Sequence, residues 1–120
     1  MVEPIPDLPE NVAGFTASGT VTAEDYDSVI VPAVEKLFAR HTKARFLYHL
    51  GEAFTGFEPL ALWDDAKLSV SHITGWERVA IVTDVGWLRG AIRVFRVVNP
   101  AHVRAFHNSE LAEAKRWVCE

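Results

Sequence analysis

Two adjacent carboxylates, Asp64 and Asp65, are the side chains of this sequence whose type best suits acid–base chemistry. A carboxylate pair catalyses proton transfer when both groups converge on one bound group. Asp64 and Asp65 fall within a predicted helix, where neighbouring side chains point about 100° apart and therefore diverge. Arg78 lies within the apolar segment 76–82 and needs a partner charge if it is buried. We therefore predict a structural ion pair between Arg78 and Asp64 or Asp65.

The patterns that support metal or cofactor chemistry are absent from the sequence. The five histidines lack ligand spacing, and Cys119 is the single cysteine, so we expect no zinc site and no intramolecular disulfide. The chain has no glycine-rich phosphate loop and no Gly-x-Ser-x-Gly motif. We predict a protein without cofactor, metal or catalytic residues. An enzyme whose acids and histidines meet only in the fold is the weakest alternative.

Four aromatic residues flank the acidic pair, namely Phe54, Phe57, Trp63 and Trp87. Segment 51–57 begins with a glycine and is predicted to be a loop, and two phenylalanines make it more apolar than a loop requires. One interpretation is an apolar mouth that admits a lipid-like ligand or enters a membrane surface. The other interpretation is that these rings complete the core beneath the loop.

A predicted helix over residues 86–97 carries Arg89, Arg93 and Arg96 at positions i, i+4 and i+7, which places them on one face. Apolar residues occupy the opposite face, so the helix is basic and amphipathic. Such a helix can meet anionic headgroups or phosphates at a membrane surface. The alternative interpretation is an ordinary solvated helix face.

Composition bounds the class of protein. The chain has 120 residues, 49% of them hydrophobic and 23% charged, which is typical of one globular domain. Its net charge of −4 argues against nucleic acid as a partner. The single cysteine agrees with a reducing cytoplasm, and we expect a cytoplasmic protein that contacts a membrane only peripherally.

Alternating strand and helix patterns predict the architecture. A proline-rich segment, residues 1–11, is predicted to be an extended leader, and residues 12–120 to form a single domain. The expected strands cover residues 12–20, 44–50, 76–83 and 102–107. The expected helices cover residues 22–43, 58–73, 86–97 and 108–117, and the first of them must kink or restart at Pro32. This order predicts an α/β fold: a mixed, largely parallel β-sheet covered by about four α-helices.

Several motifs together resemble the SpoIIAA-like family over residues 12–120. They are residues 19–26 (GTVTAEDY), residues 61–65 (ALWDD), residues 77–87 (ERVAIVTDVGW) and residues 114–117 (AKRW). The resemblance implies a STAS-like fold, comparable to the CRAL-TRIO lipid-binding architecture. It implies no established catalysis, and it implies binding of small apolar ligands and membrane association. STAS regulators carry a phosphorylatable serine where this chain offers only Thr55, so a phospho-switch is not expected.

We therefore expect a non-enzymatic STAS-like module that binds a small apolar or lipid-like ligand and associates transiently with a membrane. In this hypothesis Phe54, Phe57, Trp63 and Trp87 line the ligand site, while the arginines of the basic helix attract an anionic head. The alternative is a regulatory protein–protein interaction module of the anti-sigma-factor antagonist type. A protein partner and a homodimer are both compatible with the apolar content.

Overall fold

The computed structural model describes residues 1–71, 75–98 and 102–120. Five strands are present in this part of the chain: β1 (Val2–Pro4), β2 (Val12–Val21), β3 (Ala44–Phe57), β4 (Trp76–Thr83) and β5 (His102–Phe106). The helices are α1 (Ala23–Asp25), α2 (Val31–Arg40), α3 (Pro59–Ser71), α4 (Gly86–Val98) and α5 (Leu111–Cys119). A π-helical segment (Tyr26–Ile30) joins α1 to α2, and a 3₁₀ turn (Asn108–Glu110) precedes α5.

The strands form one sheet in the order β1-β2-β3-β4-β5. Strand β1 pairs antiparallel with β2, and the other three pairings are parallel. This arrangement confirms the predicted α/β fold with a mixed, largely parallel sheet. The residues predicted to form a leader supply the edge strand β1, in which Val2 is buried opposite Ala17.

Each face of the sheet is covered by different helices. On one side, here called the helical face, residues of the π-helical segment, α2, α3 and α4 pack against side chains such as Phe46 and Tyr48. On the other side, here called the α5 face, helix α5 packs against Leu47 and Ala80. Successive side chains of a strand point to opposite faces, so strands β3 and β4 are apolar on both sides.

The helical stretch after β2 begins as the sequence predicts. The Thr22 side chain accepts a hydrogen bond from the Asp25 backbone N–H, and the Asp25 carboxylate accepts one from the Thr22 N–H. This capping box fixes the start of α1. Further along, the Val31 N–H bonds to the Tyr26 carbonyl in a π-helical turn, and Pro32 sits in the first turn of α2. The sequence predicted a kink or a restart at Pro32, whereas the backbone stays helical through Ile30 and Val31 and a π-helical turn precedes the proline.

The loop predicted over residues 51–57 is wrong, because these residues continue strand β3. Phe54 lies opposite Gly19, and Phe57 lies opposite Val21, in register with β2. Gly56 has φ +152°, a conformation that side-chain-bearing residues rarely adopt, and it lies where the pairing is irregular. Pairing with β2 therefore extends strand β3 beyond residues 44–50, the apolar segment that was predicted to be the strand.

The other boundaries agree closely with the sequence. Strand β4 and helix α4 begin where predicted, and α3 begins one residue later than expected. The predicted end of α3, at residues 72–73, lies outside the described residues. None of the helices in the described ranges is long and apolar enough to cross a membrane.

A candidate ligand cavity beneath helices α3 and α4

A cavity of about 240 Å³ lies on the helical face, between strands β3, β4 and β5 and the helices α3 and α4. Its lining is almost wholly apolar. The strands contribute Phe46, Tyr48, Leu50, Phe57, Trp76, Val79, Ile81 and Val103, and the helices contribute Leu62, Asp65, Trp87, Leu88, Ala91 and Ile92. The cavity lies over the face of the sheet, since it extends from Trp76, the first residue of β4, to Phe57, the last residue of β3.

Five aromatic rings form one side of the cavity, and we call them the aromatic wall: Phe46, Tyr48, Phe57, Trp76 and Trp87. The rings touch in sequence, edge to face, with centroid separations of 5.6 Å for Trp76–Phe46 and for Phe46–Tyr48. The contacts continue at 6.4 Å for Tyr48–Phe57 and 6.5 Å for Phe57–Trp87. Edge-to-face pairs are favourable because the positive edge of one ring meets the negative face of the next.

Within residues 1–71, 75–98 and 102–120, Asp65 is the one charged residue whose described side chain lines the cavity. Its Oδ1 accepts a hydrogen bond of 2.8 Å from the hydroxyl of Tyr26, which is fully buried. The Tyr26 hydroxyl lies 3.2 Å from the hydroxyl of Tyr48. Because Tyr26 gives its single proton to Asp65, Tyr48 donates to Tyr26. The carboxylate is therefore held at the cavity by two buried tyrosines in series.

Burial shapes the titration of this cluster. Burial raises the pKa of Asp65 above its usual value, and the hydrogen bond from Tyr26 opposes that shift without cancelling it. Burial also raises the pKa of Tyr26 and of Tyr48, and the nearby Asp65 charge adds to both shifts. Both phenols are therefore neutral at physiological pH, and they act as hydrogen-bond donors.

The structure brings two of the four predicted aromatic residues to the cavity. Phe57 and Trp87 line it, whereas Phe54 is buried beside Phe57 at a centroid distance of 5.0 Å. Trp63 is 62% exposed and does not line the cavity. The prediction missed Phe46, Tyr48 and Trp76, although the alternation of aromatic residues along β3 was a signal that could have found the first two.

The three arginines of α4 do not act as one set. Arg93 and Arg96 are exposed, as a basic surface requires. Arg89 is half-buried, and its Nη1 donates a hydrogen bond of 3.1 Å to the carbonyl of Thr83, at the end of β4. Arg89 thus ties the first turns of α4 to the sheet, and two arginines are left at the outer surface.

The predicted pair of Arg78 with Asp64 or Asp65 is not among the contacts of these three described residues. Asp64 lies 3.3 Å from the Lys67 ammonium, and Asp65 accepts from Tyr26. Arg78 points to the α5 face, where its Nη1 donates to the Trp117 carbonyl at 2.7 Å and lies 3.6 Å from Glu120.

The physical reason for this difference is the alternation of side chains along β4. Arg78 shares a face with Ala80 and Val82, which pack in the α5 core. Helix α3 covers the opposite face, so its carboxylates are separated from Arg78 by the sheet. The guanidinium is paired instead with the electronegative carboxyl end of helix α5.

Apolar side chains are also exposed around the outer surface of α3 and α4. We call this the apolar rim: Leu60, Trp63, Trp87, Val94 and Val97. Trp87 belongs to both the rim and the cavity wall, so the rim reaches the opening of the cavity. Scattered exposed hydrophobic residues are common, but a group beside a cavity is typical of an interaction surface.

Other chemistry finds little support in the described ranges. No group of three or more histidine, cysteine and acidic side chains there could hold a metal ion. Cys119 is exposed. Thr55 is exposed on strand β3, where its hydroxyl lies 3.2 Å from that of Thr20.

Comparisons with known proteins place the chain in a family. No curated protein matches it. The crystal structure of an uncharacterised protein of the DUF3478 family from Shewanella loihica PV-4, with a SpoIIAA-like fold, is similar with a TM-score of 0.79 and 26% identity. The likeness covers 98% of this chain and 94% of that one. The SpoIIAA-like family model matches residues 12–119, and the chain therefore belongs to the SpoIIAA-like family.

Proposed function

We propose that the protein is a non-catalytic module that binds a small apolar or amphipathic ligand in the cavity beneath α3 and α4. The observation that carries this proposal is the cavity itself. It is a half-open space of about 240 Å³ beside exposed Trp87, and its apolar lining favours hydrocarbon over water.

The cavity volume limits the ligand. An apolar protein cavity of about 150 Å³ accommodates benzene, so about 25 Å³ serves each carbon. On that scale a cavity of about 240 Å³ holds roughly ten non-hydrogen atoms. A medium-length alkyl chain or a small aromatic compound fits this space, whereas a two-chain phospholipid does not. A longer chain would need to extend past Trp87 and Leu62 to the apolar rim.

The experiment is a binding measurement with a variant that fills the cavity. Ala91 lines the cavity from the exposed helix α4, so Ala91→Phe adds a ring there with little cost to folding. Val94→Phe adds a similar ring to the same helix outside the cavity and is the matched control. Octanol is titrated by calorimetry, and native mass spectrometry of the gently purified protein detects any amphiphile that copurifies.

We expect Ala91→Phe to weaken octanol binding at least about tenfold, because the ligand must displace a ring worth more than 1.4 kcal/mol of burial. Val94→Phe should bind octanol as the unchanged protein does. Equal affinities for the two variants, or no octanol binding by the unchanged protein, would contradict the proposed site.

Transient membrane contact through the apolar rim is the second candidate function. The rim combines exposed apolar side chains with Arg93 and Arg96 on the same helix, as in helices that lie on membrane surfaces. The expected orientation places α3 and α4 against the lipid headgroups, with the cavity opening towards the membrane. A ligand could then pass between the lipid and the cavity without crossing bulk water.

Cosedimentation with vesicles of phosphatidylcholine and phosphatidylglycerol tests this candidate. The double variant Arg93→Glu/Arg96→Glu should lose most of its binding, since each basic side chain contributes about 1 kcal/mol near an anionic surface. Arg116→Glu, an exposed arginine on α5, is the control and should bind normally. If both variants bind equally, the rim does not contact lipid, and stoichiometric capture of one protein through the rim would favour the regulatory alternative.

A further inference from the structure

The cavity wall contains an unusual combination for a lipid site: five aromatic rings and one carboxylate. Among the fourteen lining residues in the part of the chain that the structure describes, there is no lysine, arginine or histidine. Arg89 is hydrogen-bonded to the end of β4 and does not line the cavity. Among the described lining residues, the charge that a ligand inside the cavity would meet is therefore the negative charge of Asp65, and five aromatic rings lie beside it.

We propose that the cavity selects a ligand with a cationic head, a primary or alkylated amine, carried on a short hydrocarbon chain. This proposal rests on the proposed function and specifies the chemical class of its ligand. It differs from the expectation of an anionic head, because the arginines that would attract such a head lie outside the cavity.

Electrostatics favours the amine over a carboxylate of the same size. Aromatic faces attract ammonium groups, and aromatic cages are the usual sites for alkylated amines. Asp65 adds a charge-assisted hydrogen bond to an ammonium that reaches it, and such bonds are about twice as strong as neutral ones. A carboxylate head in the same place would meet a like charge, and none of the described lining residues is a cation that could compensate it.

The tyrosine pair prepares Asp65 for this role. A buried carboxylate that swings freely would lose part of its binding energy when a ligand orders it. Here Tyr26 donates to Oδ1 at 2.8 Å, and Tyr48 supports Tyr26 from 3.2 Å. Tyr48 also belongs to the aromatic wall, so the same side chain connects the carboxylate to the rings that would surround the ammonium. Tyr26 is a positioning residue, since it does not line the cavity.

The test compares three probes that contain the same number of non-hydrogen atoms: octylamine, octanol and heptanoate. An alkylamine, like a lysine side chain, is a cation at pH 7. Each probe is titrated into the full chain by calorimetry, with tryptophan fluorescence as a second readout, since Trp76 and Trp87 line the cavity. We expect octylamine to bind tightest and heptanoate weakest.

Variants then assign the preference to named side chains. Asp65→Asn keeps an oxygen that can accept from Tyr26 but removes the charge, and it should weaken octylamine binding about tenfold or more while octanol binding is unchanged. Asp64→Asn, on the same helix turn but outside the cavity, is the matched control. Trp87→Leu should weaken octylamine binding about threefold more than octanol binding, whereas Trp63→Leu should alter neither.

The outcomes separate this inference from the proposed function. If octanol binds and octylamine gains nothing over it, or if Asp65→Asn leaves the ratio of the two affinities unchanged, the cationic head is wrong and the cavity proposal stands. If heptanoate binds tightest, the head is anionic. If none of the three probes binds, both proposals fall together.

Discussion

The two faces of the sheet are built from the same strands, yet the helices that cover them pack differently. On the α5 face the last helix packs closely, and the guanidinium groups of Arg45 and Arg78 donate to its final carbonyls at 2.9 and 2.7 Å. On the helical face, α3 and α4 leave a cavity of about 240 Å³ with Asp65 in its wall. The two arginines of the α5 face are paired with helix carbonyls, whereas the helical face leaves an apolar cavity with a carboxylate in its wall.

Trp117 illustrates how completely the α5 face is packed. The Arg78 guanidinium lies 5.2 Å from the centre of its ring, and that of Arg104 lies 5.4 Å from it. The ring also packs at 5.9 Å from that of Phe106, one of the most deeply buried side chains. On the helical face the corresponding aromatic residue, Trp87, is 57% exposed. The Trp117 ring is thus enclosed by contacts within the chain, whereas the Trp87 ring is largely open to solvent.

The largest expected effect is a difference between two phenylalanine truncations. Phe106→Ala should lower the free energy of unfolding by about 3–5 kcal/mol, because it opens a cavity in a closely packed core. Phe57→Ala should cost about 2 kcal/mol or less, because that ring is half-buried and already borders empty space. Urea unfolding measures both. Equal losses would show that the two faces are packed alike.

A second, smaller effect concerns the arginines of the two faces. Arg78→Leu should destabilise the protein by about 2 kcal/mol, since it removes a charged hydrogen bond to the Trp117 carbonyl and the contact with the Trp117 ring. Arg93→Leu, on the exposed surface of α4, should change stability by less than about 0.5 kcal/mol. Thermal unfolding at equal protein concentration decides between this prediction and a purely surface role for Arg78.

Arg78 also shows where the sequence was sufficient and where it was not. The apolar run around it predicted a buried strand, and β4 confirms that prediction. The partner of Arg78 could not be predicted in the same way. It depends on which face of the sheet the Arg78 side chain lies on, and hydrophobicity alone does not determine that. Arg78, Ala80 and Val82 alternate onto the α5 face. Which helix covers that face depends on the connections of the whole sheet, and no local pattern contains this information.

The cavity was predictable only in part for a related reason. Phe57 and Trp87 were expected at a ligand site, and both line the cavity. Segment 51–57 resembled a loop because of its glycines and small residues, whereas pairing with β2 makes it strand. The Tyr26–Asp65 contact joins side chains 39 residues apart, and only the packing of α3 over the π-helical segment creates it.

A third prediction uses the pKa of Asp65, which burial raises in the folded protein. Because the native state then holds its proton to higher pH than the unfolded chain, the stability of the protein falls as the pH rises above 3.8 and through the raised native pKa. Asp65→Asn removes this loss, so the variant should be more stable than the unchanged protein at neutral pH. The difference in stability between the variant and the unchanged protein should become smaller as the pH falls towards 3.8, the ordinary pKa of an aspartate.

The smallest effect, and the one with the opposite sign, belongs to Asp84 at the edge of the α5 face. Its Oδ1 accepts hydrogen bonds from the Asn108 backbone N–H at 3.1 Å and from His107 Nδ1 at 3.0 Å. These hydrogen bonds hold the pKa of Asp84 below 3.8, and the bond from the Asn108 backbone has the larger effect. The contribution of Asp84 to stability is therefore present above pH 3.8 and is lost as the pH falls through the lowered native pKa.

Asp84→Asn should accordingly be slightly less stable than the unchanged protein at neutral pH, where Asp65→Asn is more stable. Urea midpoints measured from pH 7 down to pH 3 compare the two variants directly. Opposite signs at neutral pH are expected because hydrogen bonds lower the pKa of exposed Asp84, whereas burial of Asp65 outweighs the hydrogen bond that it accepts from Tyr26. If both substitutions destabilise the protein equally, Asp65 is as well satisfied by the fold as Asp84. The wall of the cavity would then hold no charge in need of a ligand.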